Sequence, residues 1–195
     1  MEQLKERIRR EGKVLPGNII KVDGFLNHRV DTNLLNDIAD EFAKYFDVSK
    51  ITTVLTAEAS GIALATVCAQ KFGVPMLFAK KAKSDNIESG LYQSEVFSYT
   101  YKKKVTLLVS QEWLTADDHV LIIDDFMANG FAMQGLVDIV NEAGATLEGI
   151  GVAVEKGFQG GGDKFRNMDG VRYKALAVIE KADDTGIYFR EDEDE

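Results

Sequence analysis

The chain has 195 residues, 45% of them apolar and 28% charged, and its formal net charge at pH 7 is −9. This length fits a single domain, residues 1–195, with its own hydrophobic core. The negative charge argues against a nucleic-acid partner, since a general nucleic-acid binder needs a basic face. No apolar run approaches the roughly 20 residues that cross a bilayer, so we expect no membrane partner.

The ends of the chain carry charges rather than a targeting signal. Residues 1–11 lack the apolar core of a secretory signal, and residues 191–195, which are all acidic, are predicted to be a disordered tail. Cys68 is the only cysteine, which excludes an internal disulfide, and its apolar neighbours predict a small buried side chain. These features together favour a cytoplasmic location.

Residues 1–31 are predicted to lie largely outside the main sheet. A short amphipathic helix should end at Gly12, and the turn residues and apolar pairs that follow predict the loops and short strands of a small flap. Asp31 or Thr32 then begins a second helix, because apolar residues recur at three- and four-residue spacing. These apolar residues are Leu34, Leu35, Ile38, Phe42 and Phe46.

The next part of the chain has the pattern of a βαβ unit. A β-branched strand at 51–56 leads through a turn at 57–61 into a helix that Gly73 ends. The strand that follows, at 74–79, implies parallel pairing and a right-handed crossover. The polar, lysine-containing segment 80–91 is predicted to be a mobile loop.

The most informative stretch begins with four apolar residues at 120–123, which predict a strand buried on both faces. Asp124 and Asp125 follow at once, and the small residues 128–130 lead into a helix that runs to Gly144. Backbone N–H groups of such a turn can hold a phosphate, and two acids at a strand end can accept hydrogen bonds from sugar hydroxyls. An acidic strand–turn–helix is also common without a ligand, so the residues alone leave both interpretations open.

Further strands are predicted at 147–155, 171–179 and 187–189, and a hairpin is predicted between 95 and 110. Alternating strands and helices predict an α/β fold, with a mostly parallel central sheet flanked by helices and a small N-terminal flap, or hood, over the site. Ligands of such sheets bind at the carboxyl ends of the strands. Four predicted loops lie there, at 57–61, 80–91, 124–131 and 156–162.

Side chains suited to a flat heterocycle stand in the last of these loops and in the flap. Lys156 can only donate hydrogen bonds, so it suits a carbonyl oxygen of a base, on whose face Phe158 could stack. Asn27 offers a donor and an acceptor, and Ile20 offers backbone groups or an apolar wall. An ordinary strand-end lysine and a turn-stabilising asparagine would give the same pattern. Neither of the two histidines has further ligands at a metal-binding spacing, so we predict no protein metal site.

Four segments together resemble a known family. They are the flap sequence Phe-Leu-Asn-His at 25–28, the turn at 57–61, the stretch 120–132, and Glu-Lys-Gly-Phe at 155–158. Over nearly the whole chain they resemble the bacterial xanthine phosphoribosyltransferases, which have the type I phosphoribosyltransferase fold. The resemblance implies a homodimer that transfers the 5-phosphoribosyl group of phosphoribosyl pyrophosphate (PRPP) to N9 of xanthine. The products would be xanthosine monophosphate (XMP) and pyrophosphate, in purine salvage.

The resemblance also implies roles for individual residues. Asp124 and Asp125 would be the catalytic acid pair that holds the ribose, and the xanthine contacts would be Ile20, Asn27 and Lys156. The 5-phosphate of PRPP would be bound by Ala128, Asn129, Gly130, Phe131 and Ala132. No bound organic cofactor is implied, and Mg²⁺ would enter as its complex with PRPP. Most relatives have Thr at the position of Asn129 and smaller or polar residues at those of Phe131 and Met133, which backbone contacts to a phosphate tolerate.

Two other interpretations stay open. The first is a phosphoribosyltransferase for another purine, either adenine or hypoxanthine and guanine. Lys156 argues against adenine, because two hydrogen-bond donors would face each other. The second is a PRPP-sensing regulator without turnover, which in this fold follows a winged-helix module. We expect no such module, because residues 1–11 leave no room for one and the chain lacks a basic face.

Overall fold

The N-terminal part of the protein consists of two helices with a small two-stranded sheet between them. The computed structural model describes residues 1–17, 19–82, 90–98, 103–183 and 185–191. The first elements are α1 (Glu2–Glu11), β1 (Lys13–Leu15), β2 (Ile19–Lys21), a π-helical turn (Asp23–Asn27) and α2 (Thr32–Tyr45). β1 and β2 are antiparallel and form a sheet of their own. They and the π-helical turn occupy the segment that the sequence predicts as the flap.

α1 and α2 bury the apolar faces that the sequence predicts. Leu4 and Ile8 of α1 are fully buried, and Gly12 ends the helix. Asp31 is the N-cap of α2, where its carboxylate accepts a hydrogen bond from the backbone N–H of Leu34 at 3.2 Å. The buried residues of α1 join the same hydrophobic core as those of α2, so α1 packs on the main body.

A mixed eight-stranded sheet forms the centre of the protein. Its strands are β3 (Thr53–Ala57), β4 (Met76–Ala82), β5 (Leu91–Ser98), β6 (Lys103–Ser110), β7 (His119–Met127), β8 (Thr146–Lys156), β9 (Arg172–Asp183) and β10 (Gly186–Phe189). Their order across the sheet is β10-β9-β8-β7-β3-β4-β6-β5. The five strands from β9 to β4 in this order are parallel, whereas β10, β6 and β5 pair in antiparallel fashion. The sheet confirms the predicted α/β fold.

Helices on both faces of the sheet follow its parallel strands. They are α3 (Gly61–Phe72), α4 (Phe131–Glu142) and the short α5 (Gly161–Arg166). One hydrophobic core contains residues of α1, α2 and α3, and the other contains residues of α4, β5 and β6. The chain therefore winds toward β4 after β3 and toward β8 after β7. This reversal places a topological switch point between β3 and β7, where open α/β sheets bind their ligands.

The elements around this switch point agree with the sequence in their main features. α3 ends at Gly73, which has the left-handed φ of 72° that favours glycine. Cys68 of α3 is buried, as predicted, and burial raises the pKa of its thiol to about 12. Leu136, Ile139 and Val140 are the buried face of α4. None of the helices in the described ranges combines the length and apolar character that a membrane span requires.

Several boundaries differ from the sequence predictions, and three of these differences lie beside the predicted site loops. β7 continues through the two acids to Met127, because Asp124, Phe126 and Met127 pair with β8. β4 extends to Ala82, into the predicted loop 80–91, because it pairs with β6. The predicted glycine-rich loop at 156–162 contains a 3-10 turn (Gly157–Gln159) and the start of α5. Residues 83–89 of the predicted lysine loop and residues 192–195 of the predicted acidic tail lie outside the described residues, and Leu91 already belongs to β5.

Candidate active site

The loops that follow β3, β7 and β8 meet at the switch point, as the sequence predicts. The loop after β3, which contains a cis peptide bond between Glu58 and Ala59, contacts the end of β7 through Ser60. The loop after β8 contacts the loop after β7, because the backbone N–H of Gly161 donates to the carbonyl oxygen of Ala128 at 3.1 Å. The three loops therefore surround one place at the carboxyl edge of the sheet.

A pocket of about 190 Å³ opens beside the loop that joins β7 to α4. All five residues predicted to bind the 5-phosphate line this pocket together with Asp124. Lys81, near the end of β4, also lines it, and its backbone N–H donates to the Glu58 carboxylate at 2.6 Å. The lining residues are Lys81, Val96, Phe97, Val105, Asp124, Phe126, Met127, Ala128, Asn129, Gly130, Phe131, Ala132 and Met133.

The first turn of α4 gives one end of the pocket the properties of an anion site. Gly130 is the N-cap of the helix, with a left-handed φ of 80°, and no described side chain caps it. The first N–H groups of any helix lack intrahelical partners, and the helix dipole makes this end positive. Phe131 begins the helix with its side chain 45% exposed. The backbone N–H groups of this turn are therefore suited to a phosphate.

The two predicted catalytic acids have different surroundings. Consecutive residues of a strand point to opposite faces, and only Asp124 lines the pocket. Asp125 is 3% exposed, and each of its carboxylate oxygens has a partner. Its Oδ2 accepts a hydrogen bond from Asn27 Nδ2 at 2.8 Å, and its Oδ1 accepts one from Ser60 Oγ at 2.9 Å. Ser60 precedes α3 but makes no capping hydrogen bond to it, so its hydroxyl serves Asp125 instead.

The surroundings of Asp124 disfavour its ionised form. Burial and the charge of the neighbouring Asp125 raise the pKa of Asp124 well above its usual range, although the charge of Lys81 opposes this shift. Gly61, at the start of α3, packs directly against Asp124. A Cβ at Gly61 would lie 2.5 Å from Asp124 Oδ1 and would overlap Thr56 Oγ1, so only glycine fits there.

The predicted base-binding residues approach β7 next to these acids. Lys156 ends β8, is half-buried, and has its Nζ 5.7 Å from the centroid of the Phe126 ring. Burial lowers the pKa of Lys156. Asn27 reaches the same strand through its hydrogen bond to Asp125. Ile20 differs from this pair, because its side chain is 6% exposed and packs in the hydrophobic core.

Residues 30–189 match the family model of the phosphoribosyl transferase domain. The chain belongs to the phosphoribosyltransferase family. Two relatives are named xanthine phosphoribosyltransferase. The protein from Lachnoclostridium phytofermentans is 49% identical over 98% of this chain and 100% of its own length. The protein from Bifidobacterium longum is 50% identical over 97% of this chain and 100% of its own length.

Solved phosphoribosyltransferase structures share the fold. The adenine enzyme of Giardia lamblia, complexed with 9-deazaadenine, has a TM-score of 0.74 and 20% identity, over 91% of this chain and 98% of that one. The adenine phosphoribosyl transferase of Trypanosoma brucei has a TM-score of 0.71 and 21% identity, over 90% of this chain and 79% of that one. At these identities the likeness concerns the fold alone.

The structure of this phosphoribosyltransferase adds residues that sequence reasoning did not single out for the site. Glu155 is fully buried, and its Oε2 forms an ion pair with Arg166 and accepts a hydrogen bond from Tyr173 at 2.9 Å. An acid that follows a buried apolar run in a strand signals a specific partner, since unpaired buried charges are costly. The glycines 160–162 signal a close backbone approach. Within the described residues, no group of three or more His, Cys, Asp and Glu is placed to hold a metal ion.

Proposed function

We propose that the protein is a xanthine phosphoribosyltransferase, which transfers the 5-phosphoribosyl group of PRPP to N9 of xanthine and gives XMP and pyrophosphate in purine salvage. The observation that carries this proposal is one pocket that contains Asp124 and the whole uncapped start of α4. The choice of xanthine is supported by the relatives of about half-identical sequence that bear this name. We further infer a homodimer, because the family resemblance implies one, and a cytoplasmic location, which the N-terminal charges and the single buried cysteine favour.

The 5-phosphate, the ribose and the pyrophosphate of PRPP each have a separate binding region at the pocket. The backbone N–H groups of residues 128–132 take the 5-phosphate, and Asp124 accepts hydrogen bonds from the ribose. Asp125 can accept from a second hydroxyl when Asn27 or Ser60 exchanges its hydrogen bond. The pyrophosphate lies toward the loop after β3 and Lys81. Mg²⁺ belongs to the substrate and neutralises the pyrophosphate through its oxygens.

Xanthine then lies between the flap and the end of β8. Lys156 donates to the 6-oxygen and stabilises negative charge there as N9 attacks. Asn27 presents its amide to the other edge of the base, and Ile20 contributes through its backbone. Some purine relatives have an acid at the position of Ala128 as the general base. Alanine at this position cannot accept a proton. We propose that xanthine, which is itself acidic, loses its proton without a carboxylate base there.

The transfer depends mainly on positioning and charge. Its transition state has oxocarbenium character at C1 of the ribose, while negative charge grows on the pyrophosphate. Asp124 lies beside the developing cation. The surroundings of Asp124 disfavour its negative charge in the absence of substrate. The positive charge at C1 favours it, so the attraction between the two is stronger in the transition state than in the bound substrate.

A panel of bases with PRPP tests the proposal through pyrophosphate release. We expect the highest kcat/KM with xanthine, lower values with guanine and hypoxanthine, and the lowest with adenine, with a reaction lacking base as the control. A preference for adenine would exclude the assigned role of Lys156. PRPP binding in calorimetry without turnover of any base would indicate a regulator instead.

Lys156→Ala tests the base contact separately. We expect kcat/KM for xanthine to fall roughly 10- to 100-fold, because a hydrogen bond from a charged group contributes about 1.5–3 kcal/mol. Lys50→Ala is the control, since the Lys50 side chain is 61% exposed. Equal kinetics for the two variants would contradict the assignment of Lys156.

A further inference from the structure

The short helix α5 supports the loop that lines the phosphate end of the pocket. The N–H of Gly161 donates to the Ala128 carbonyl oxygen at 3.1 Å. A Cβ added at Gly130 would lie 3.1 Å from Cε2 of Phe165 and 3.1 Å from the carbonyl oxygen of Gly161. A Cβ added at Gly161 would lie 2.6 Å from the Gly130 nitrogen. The backbone of α5 and the loop after β7 are thus in direct contact.

α5 is in turn fixed by the buried carboxylate of Glu155. Arg166, the last residue of α5, forms an ion pair with Glu155 through Nη2. Tyr173 of β9 donates to the same carboxylate oxygen at 2.9 Å, and its ring stacks on that of Phe165 with centroids 6.5 Å apart. A Cβ at Gly162 would lie 2.5 Å from Glu155 Cδ, so the start of the helix rests on the carboxyl group.

These contacts are needed because α5 cannot be stable by itself. It has six residues, and isolated helices of that length do not persist in water. The Glu155 side chain is fully buried, whereas the Arg166 side chain is 30% exposed, so the ion pair holds an otherwise solvated residue against the sheet. The Tyr173 hydroxyl is a donor to this carboxylate, and burial and the Glu155 charge raise its pKa further above neutrality.

We propose that Glu155 is a positioning residue for the 5-phosphate of PRPP. By holding α5 through Arg166 and Tyr173, it holds residues 128–130 in the conformation that binds this phosphate. The inference rests on the proposed function, and it adds a division of labour to it. Glu155 and Lys156 are neighbours on β8, yet the first serves the phosphoribosyl donor and the second serves the base.

Glu155→Gln tests the inference, because glutamine keeps the shape and an acceptor but removes the charge that holds Arg166. We expect KM for PRPP to rise at least fivefold, with KM for xanthine within twofold of wild type. Asp163→Asn is the matched control. Asp163 pairs with the same arginine at 2.6 Å, but its side chain is 60% exposed, so KM for PRPP should change less than twofold.

Two binding probes separate positioning from a general loss of structure. Calorimetry should show weaker binding of ribose 5-phosphate to Glu155→Gln, also by at least fivefold, with pyrophosphate binding unchanged. Equal loss of both affinities would assign Glu155 a merely structural role and overturn the inference. A folded variant that binds ribose 5-phosphate as wild type does would overturn it too.

Two further variants decide the matter if Glu155→Gln does not fold. Tyr173→Phe removes one donor to Glu155 and keeps the ring, and we expect KM for PRPP to rise two- to threefold. Gly161→Ala places a methyl group against the Gly130 nitrogen and should raise KM for PRPP more than Tyr173→Phe does. Wild-type values for both variants would overturn the inference. Failure of the wild-type protein to bind ribose 5-phosphate or to turn over PRPP would instead contradict the proposed function.

Discussion

At Asp124, the stability of the fold and the proposed chemistry have opposite requirements. The fold favours the protonated side chain, whereas the proposed reaction needs the carboxylate. The folded state raises its pKa above the ordinary 3.8, so the folded protein binds this proton more tightly than the unfolded chain does. The stability that Asp124 contributes is therefore fully present below that ordinary pKa. It is lost as the pH rises through the higher pKa of the folded state.

Asp124→Asn should consequently stabilise the protein near neutral pH and inactivate it. We expect the free energy of unfolding to rise at pH 7.5, because asparagine keeps the shape of the side chain and has no charge to bury beside Asp125. The gain should vanish near pH 3.5, and kcat should fall by roughly 100-fold or more. Thermal denaturation at both pH values measures this, with the exposed Asp117→Asn as control. A variant less stable than wild type at pH 7.5 would refute the argument.

Ser60 shows the opposite case, a side chain that stabilises a buried acid. Ser60→Ala leaves one oxygen of the buried Asp125 without its donor, so unfolding should become easier by about 1–3 kcal/mol. Ser49→Ala is a matched control, since Ser49 donates to Asp47 at 2.6 Å on the surface. We expect that control to change stability by less than about 0.5 kcal/mol. Chemical denaturation gives both values, and equal changes would mean that the burial of Asp125 has no consequence.

Individual site residues were accessible to sequence reasoning to different degrees. The acid pair and residues 128–130 stand out because a strand, two acids and a small turn form a local pattern. The partners of Asp125 do not stand out, because Asn27 is 98 positions away from it in the chain. The sequence suggests Asn27 only as a contact to a base, and nothing in it indicates the hydrogen bond to the acid pair.

Among the elements, α5 shows where local patterns stop being informative. Three consecutive glycines predict a loop, and the helix forms because Glu155, Tyr173 and the loop after β7 hold it. β7 likewise extends through two residues with low strand propensity, since its end pairs with β8. The helices α2, α3 and α4 were predictable, because each has a clear apolar face and an end signal.

The turn between β7 and α4 can be tested by a pair of glycine substitutions. Gly130 and Gly170 have φ values of 80° and 75°, so alanine at either position should cost about 1–2 kcal/mol of stability. A methyl group at Gly130 would also press on Phe165, whereas no described atom lies within 4 Å at Gly170. We therefore expect only Gly130→Ala to raise KM for PRPP as well. Steady-state kinetics and denaturation curves of the two variants check this, and a raised KM in both would contradict it.

At the scale of the whole molecule, the strand order was the least predictable feature from the residues. The βαβ pattern predicts that β3 and β4 are parallel neighbours, and the right-handed rule fixes the crossover. Nothing in the spacing indicates that β7 lies on the other side of β3. That placement creates the switch point, and the family resemblance was the part of the sequence reasoning that implied it.

Ligand binding at the switch point should stabilise the entire fold. Two hydrophobic cores and the N-terminal segment meet around the site, so a ligand that binds only the folded state shifts global unfolding. Ribose 5-phosphate at 100 times its Kd should add about 2.7 kcal/mol to the free energy of unfolding. Ribose at the same concentration should add almost nothing, because it lacks the phosphate. Thermal shift measurements with both sugars check this, and equal shifts would exclude recognition of the phosphate.

The neighbouring positions of Glu155 and Lys156 limit how this chain can change during evolution. Because strand side chains alternate, one residue inserted or deleted in β8 ahead of this pair would turn each of them to the wrong face. Glu155 would then lie on the face where Lys156 contacts the base, and Lys156 would lie on the face where Glu155 holds α5. Length variation among homologues should therefore be found in the surface turns, while the interval from Thr146 to Lys156 keeps the same number of residues.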